Sequence, residues 1–282
     1  MALIWGLTWP VNKAMLAEMP PLLMLTWRSV IATVVLFAMA LPGGRLILPP
    51  REDLPVLLSI TVLHMVGFTV LAFVGLSFVS TGRSVVLSYT TPLWVMPGAA
   101  LFLKEKLNAR RALGVGIGLT GLIVLFNPLA LDWSDPIAVW GNLALLGAAL
   151  LWAGSILHIR GHRWHSTPFQ LIPWEALLAT VLLAALTIVF GQFRWVEWHL
   201  SLVLLMLFSA VIGNALSFWG IAMAGRGLPA VTISLGLLTT PLISIATATW
   251  ALGEPLTLTL ILAAALILGG VALGTTGEKS PP

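Results

Sequence analysis

Residues Ser88 to Glu105 read Ser-Tyr-Thr-Thr-Pro-Leu-Trp-Val-Met-Pro-Gly-Ala-Ala-Leu-Phe-Leu-Lys-Glu, and residues Leu237 to Glu254 read Leu-Leu-Thr-Thr-Pro-Leu-Ile-Ser-Ile-Ala-Thr-Ala-Thr-Trp-Ala-Leu-Gly-Glu. Each stretch sets a glutamate thirteen residues after a Thr-Thr-Pro, and the two lie 149 residues apart. Further out, an offset of 147 lays Trp5 on Trp152, Lys13 on Arg160, Pro21 on Pro168 and Trp27 on Trp174. The chain therefore carries one pattern twice.

The sequence around these motifs is of membrane type. Of the 282 residues, 59% are hydrophobic and only 9% charged, against about 25% charged in a globular protein. Apolar runs of about 20 residues, enough to cross a hydrocarbon core at 1.5 Å per residue, recur along the whole chain. Cutting at charges, Pro and Gly clusters gives candidate helices at 1–17, 21–41, 54–80, 84–103, 112–126, 137–159, 169–190, 199–224, 228–252 and 256–273. The fifth is short for a span and could begin nearer Leu107. Met1 to Ala17 has no basic leader and no small-residue cleavage site, so a retained helix is expected instead of a signal peptide.

The basic residues lie in short loops, so a pI near 10.1 reflects topology and not nucleic-acid binding. One side of the expected bundle holds Arg45, Arg51, Lys104, Lys106, Arg110, Arg111, Arg160, Arg163, Arg226 and Lys279; the other holds Lys13, Arg83 and Arg194. That asymmetry predicts both termini in the cytoplasm, with Asp132 and Asp135 facing outward. Five helices per half is an odd number, so the second half enters from the opposite side. The expectation is an all-α membrane protein of ten helices in two inverted repeats: 1–127, an external connection over 128–136, 137–274, and a short cytoplasmic tail over 275–282. Paired inverted halves suit a secondary transporter, because they can exchange conformations around a midplane site. The chain has no cysteine, which excludes disulfides and thiol chemistry.

Polar and aromatic residues inside apolar spans mark candidate substrate contacts. Trp5, Trp9 and Asn12 share one helical face. His64 and Phe68 share another, with Gly67 between them allowing close backbone approach; the alternative for His64 is a hydrogen bond to a backbone carbonyl. Tyr89, the chain's one tyrosine, stands three residues before Pro92, whose missing N–H frees a carbonyl. Ser88, Thr91 and Trp94 join this group, and Thr239, Thr240 and Pro241 mirror it. Pro92 and Pro241 are also hinge candidates. Trp152 with Ser155, and Asn214 with Ser217 and Phe218, could close the cavity from the second half, with interhelical bonding as the rival role for Asn214.

Other clusters read as structural. Arg28 is expected to snorkel outward, and Glu175, at the matching position of the second half, is not expected to pair with it. Glu105 and Glu254 suit capping or loop fixing. His158, His162 and His165 have helical spacing, but with no carboxylate or cysteine nearby they read as an interfacial basic cluster and not a metal site. Gly114, Gly116 and Gly118 suit close helix packing.

These residues resemble the drug/metabolite transporter superfamily, in its ten-helix EamA branch. The likeness rests on Ile4-Trp5-Gly6 with Lys13, on Arg28, on Tyr89-Thr90-Thr91-Pro92 followed by Leu103-Lys104-Glu105-Lys106-Leu107, and on Leu252-Gly253-Glu254-Pro255-Leu256. Within that branch the Trp-rich pattern looks like the bacterial aromatic amino acid exporters. The resemblance implies outward movement of Phe, Tyr, Trp or similar metabolites across the inner membrane, along a path walled by the first, third, fourth, sixth, eighth and ninth helices. It implies a small-molecule substrate, the lipid bilayer as partner, no cofactor and no nucleic acid. Coupling to protons and facilitated diffusion both fit the residues, as does export of other amino acids, drugs or metabolites. A passive channel remains a rival. An intramembrane enzyme is disfavoured, since no His-Glu-x-x-His, paired aspartates or nucleophile elbow is present.

Overall fold

The computed structural model describes residues 1–42, 46–105, 108–125, 135–220 and 237–275. Arg45, Lys106, Leu107, Asp132, Arg226, Lys279, residues 128–134 and residues 276–282 lie outside the described residues. The rest forms helical rods and, among the described residues, no strand. The rods are α1 (Ala2–Leu16), α2 (Pro21–Ala40), α3 (Arg51–Phe78), α4 (Thr81–Phe102), α5 (Ala109–Leu125), α6 (Pro136–Gly161), α7 (Pro168–Val189), α8 (Leu200–Gly220), α9 (Thr239–Leu252) and α10 (Leu258–Thr275). Seven of these, α2, α3, α4, α6, α7, α8 and α10, are long and apolar enough to cross a bilayer.

Several starts are set by polar groups that sequence periodicity does not weigh. α4 begins at Thr81 instead of residue 84 because Glu254, from far along the chain, accepts the Thr81 N–H at 2.8 Å and the Gly82 N–H at 3.3 Å. Both are donors that a helix start leaves open. Asn108 plays the same part for α5, its Oδ1 accepting the Arg111 N–H at 2.8 Å. Asp135 caps α6 through Ile137 N–H at 2.9 Å, and Thr167 opens α7 with a reciprocal box to Gln170.

The rods alternate in direction, and the end of the bundle where α1 starts is called the near end. α2 lies along α7, α1 along α9, and α5 along α10, while α3 and the second part of α4 pack on α6. Glycine makes the α5–α10 approach possible: a Cβ on Gly114 would sit 2.6 Å from the Gly270 oxygen. Gly118 meets Leu93 instead, and Gly116 faces open space, so two of the three glycines of this run serve packing. α2 and α7 are joined by hydroxyls, Ser29 to Thr180 at 2.7 Å and Thr33 to Thr180 at 2.9 Å.

Two rods are not wound as α-helix throughout. Ile60–Phe68 of α3 and Phe208–Leu216 of α8 are π-helical, with bonds reaching back five residues instead of four. α4 is broken at Tyr89–Thr90, just ahead of Pro92.

Candidate functional site

A cavity lies among α1, α2, α3, α4, α6, α7 and α8. The space open to the centre of a water-sized sphere is about 120 Å³, against the roughly 10–15 Å³ that one water needs, so it has room for a small solute. Trp5, Trp9 and Asn12 line it from α1, His64 and Phe68 from α3, Tyr89 from α4, Trp152 from α6, and Asn214 and Phe218 from α8. The sequence reading named all nine.

Rings dominate one wall. His64 stacks on Trp152 at a centroid distance of 5.2 Å and 7° between planes, and meets Phe218 edge-on at 5.8 Å. Phe68 closes on Trp152 at 5.0 Å, and Tyr89 presents its edge to the same indole at 6.3 Å. α3 can bring these rings so close to α6 because Gly67 has no side chain; a Cβ there would stand 2.8 Å from Leu151. Opposite, Trp9 stacks on Phe73 at 6.2 Å. Such a chamber offers faces and edges to a flat apolar group.

Six sequence candidates do not line the cavity. Ser88 and Ser155 are fully buried, and Thr239 is exposed at the start of α9. Thr91 turns its hydroxyl to the Ser88 carbonyl at 2.8 Å. That carbonyl is the one Pro92 leaves without its helical donor, so the freed acceptor is met locally and not offered to a solute. Trp94 donates its indole N–H to Thr90 at 3.2 Å. Ser217 donates to the Ile212 carbonyl, five residues back, at 2.7 Å, as the π winding dictates. Pro92 starts the second part of α4, and Pro241 lies buried in the first turn of α9. Asn12 lines the cavity and also binds helices together, its Oδ1 accepting from Ser209 at 2.7 Å.

α2 and α7, absent from the expected wall, supply Arg28, Ser29, Ala32, Ala176 and Ala179, whereas no described α9 residue lines it. The reason is the α2–α7 contact, which presents one face of each rod inward. Arg28 does not snorkel out. It is 8% exposed, its guanidinium lies over the Phe73 ring at 5.2 Å, and its Nε and Nη1 have no hydrogen-bond partner. An ionisable residue inside an apolar span is a functional signal in sequence alone. Glu175 is buried, off the lining, and not paired with Arg28.

The histidine cluster at the end of α6 does have a carboxylate. Asp53, fully buried, meets His162 Nε2 at 2.8 Å and accepts the His165 and Ser166 backbone N–H groups at 3.1 and 2.7 Å. Asp53, His162 and His165 bring three ligand-type atoms within 4.8 Å of one another. Both oxygens of Asp53 already hold backbone donors, so the group acts as a cap fastening the α6–α7 connection to the start of α3. His158 stands aside, edge-on to His162 at 6.2 Å.

A bundle whose described elements are helical, with bilayer-length apolar rods around an internal cavity, defines a multi-pass membrane protein built to hold a small solute. The model of the EamA-like transporter family matches residues 1–127 and 139–276, and the chain belongs to that family. It is 28% identical to the transporter YoaV of Bacillus subtilis, over 97% of this chain and 93% of that one. A probable amino-acid metabolite efflux pump of Salmonella typhimurium is 26% identical over 98% and 92% of the two chains. A solved crystal structure superposes with a TM-score of 0.67 at 21% identity, covering 97% of this chain and 95% of its own; at that identity it shows the shared fold.

Proposed function

We infer that this transporter exports small amphipathic metabolites, aromatic amino acids foremost, by alternating access through the ring-walled cavity. The observation that carries the reading is the set of rings around His64 and Trp152, converging from α3, α4, α6 and α8 on one space. The name of the Salmonella relative, an amino-acid metabolite efflux pump, supports the substrate class.

The architecture is read as ten crossings in two inverted halves, 1–127 and 137–274, with both termini on the cytoplasmic side of a bacterial inner membrane. Several contacts support the inversion. Thr33 and Thr180 lie 147 residues apart, the offset of the repeat, and bond to each other, as residues beside a two-fold axis do. The two π segments begin at Ile60 and Phe208, 148 apart. Lys104 and Gly253, 149 apart, both take a left-handed backbone just before the paired glutamates, with φ of 56° and 68°. α1 on α9 and α6 on α4 are counterpart contacts.

The test is uptake of radiolabelled phenylalanine or tryptophan into proteoliposomes, with unlabelled competitors and with Tyr89→Ala and Trp152→Ala alongside. Saturable, competitor-sensitive uptake that both variants reduce at least tenfold is expected. A folded protein that moves neither amino acid overturns the substrate assignment.

A further inference from the structure

Arg28 sits about 10 Å in from the far end, seven residues along α2 at 1.5 Å each. A guanidinium stays charged in proteins, and burying a charge is costly unless it is paired and hydrogen-bonded. The Phe73 face at 5.2 Å compensates part of that but accepts no hydrogen bond. Two of its three nitrogens point at no acceptor.

Four of the polar groups lining the cavity already have partners in the fold. Thr8 donates to Ile4, Thr69 to Met65, Ser29 bonds Thr180, and Asn12 accepts from Ser209. No aspartate or glutamate lines the cavity among the described residues. Glu175, the described carboxylate deepest in a rod, lies about 10 Å from the opposite end by the same helical rise. The cavity therefore holds one permanent charge, positive, with its fork unfilled and aromatic walls beside it.

We propose that this cavity selects for a single negative charge, and that its best solutes are aromatic carboxylates whose carboxyl group completes the Arg28 guanidinium while the ring enters the His64–Trp152 box. The inference rests on reading this cavity as the transport site and deepens it. A planar fork matched to a carboxylate gives two parallel charge-assisted bonds. The ammonium of a zwitterionic amino acid meets no carboxylate among the described lining residues. Aromatic acids lacking it bind at least as tightly as the amino acids, and aromatic amines bind poorly.

The experiment is calorimetric titration of the purified full chain in detergent with 3-phenylpropionate, phenylalanine and phenethylamine, repeated on Arg28→Gln and Arg28→Lys. In the unaltered protein, 3-phenylpropionate is expected to match or exceed phenylalanine and to bind at least tenfold tighter than phenethylamine. Arg28→Gln should abolish that order, and Arg28→Lys should keep it at lower affinity. Phenethylamine binding as tightly as 3-phenylpropionate, an unchanged order in Arg28→Gln, or no binding of any of the three overturns the proposal. The comparison within the unaltered protein stands even where a variant fails to fold. Flux separates the two readings: charge-ordered binding without transport sinks the transport reading alone, whereas saturable phenylalanine flux without charge order sinks the Arg28 assignment alone.

Discussion

The two ends of the bundle use the same repeat positions with different chemistry. At the near end Asp53, from the first half, accepts backbone N–H groups of His165 and Ser166 from the second. At the far end Glu254, from the second half, accepts backbone N–H groups of Thr81 and Gly82 from the first, plus the Thr81 hydroxyl at 2.6 Å. Lys13 works beside it, donating to the Leu76 and Val79 carbonyls at 2.6 and 3.0 Å. The repeat counterparts of Glu254, Lys13 and His165, which are Glu105, Arg160 and Glu18, pair differently. Glu105 and Arg160 bond directly at 2.6 Å on the near surface, and Glu18 meets His199 at 2.6 Å on the far surface. Each end thus has one carboxylate capping backbone from the other part of the chain, and side-chain ion pairs nearer the surface, Glu105 reaching Arg111 at 3.5 Å as well as Arg160. Strength should follow the cap and not the charge count, because a buried charge-assisted bond is worth about 1.5–3 kcal/mol and an exposed pair about 0–1.

Mutations can break that ranking. Asp53→Ala should cost the most, about 3 kcal/mol, since it leaves the buried Ser166 N–H and the half-buried His165 N–H unmet; the midpoint of detergent unfolding reads it. Glu254→Gln should cost about 2 kcal/mol, as the amide keeps one acceptor. Because the chain has no native cysteine, a lone Ser80→Cys reports the same change as faster maleimide labelling at the far end. Glu105→Gln and Glu18→Gln should each cost less than about 1 kcal/mol, and less still at high salt. A loss at Glu105 equal to that at Asp53 would falsify the ranking. The smallest effect is a gain: Lys104→Gly relieves a left-handed residue (φ 56°) and should stabilise by up to about 1 kcal/mol.

Local pattern was enough for much of the site. Trp5, Trp9 and Asn12, and likewise His64 with Phe68, were found because one helical face is visible in spacing, and the cavity lies on those faces. Arg28 was misplaced because α2 shows no clear polar stripe, and its inward face is chosen by α7, 147 residues on. Asp53 lies 112 residues from His165, so no window of sequence joins them, although the repeat that pairs Glu18 with His165 would have pointed there. Thr91 and Ser217 were counted as solute contacts because spacing cannot tell that a hydroxyl is already bonded to its own helix. Seven rods are of bilayer length; α1, α5 and α9 fall short of eighteen residues as described, and of these the fifth was already short in its apolar run.

The two π segments have a mechanical meaning. An α turn closes on 3.6 residues, so one residue corresponds to about 100° of rotation. A π stretch stores surplus winding, and converting it to α-helix turns everything beyond it about the rod's own axis by roughly that angle per residue released. His64 and Phe68 ride on one such stretch and Asn214 on the other. Each rod is therefore a screw with a slack thread, and the slack lies where His64, Phe68 and Asn214 reach the cavity.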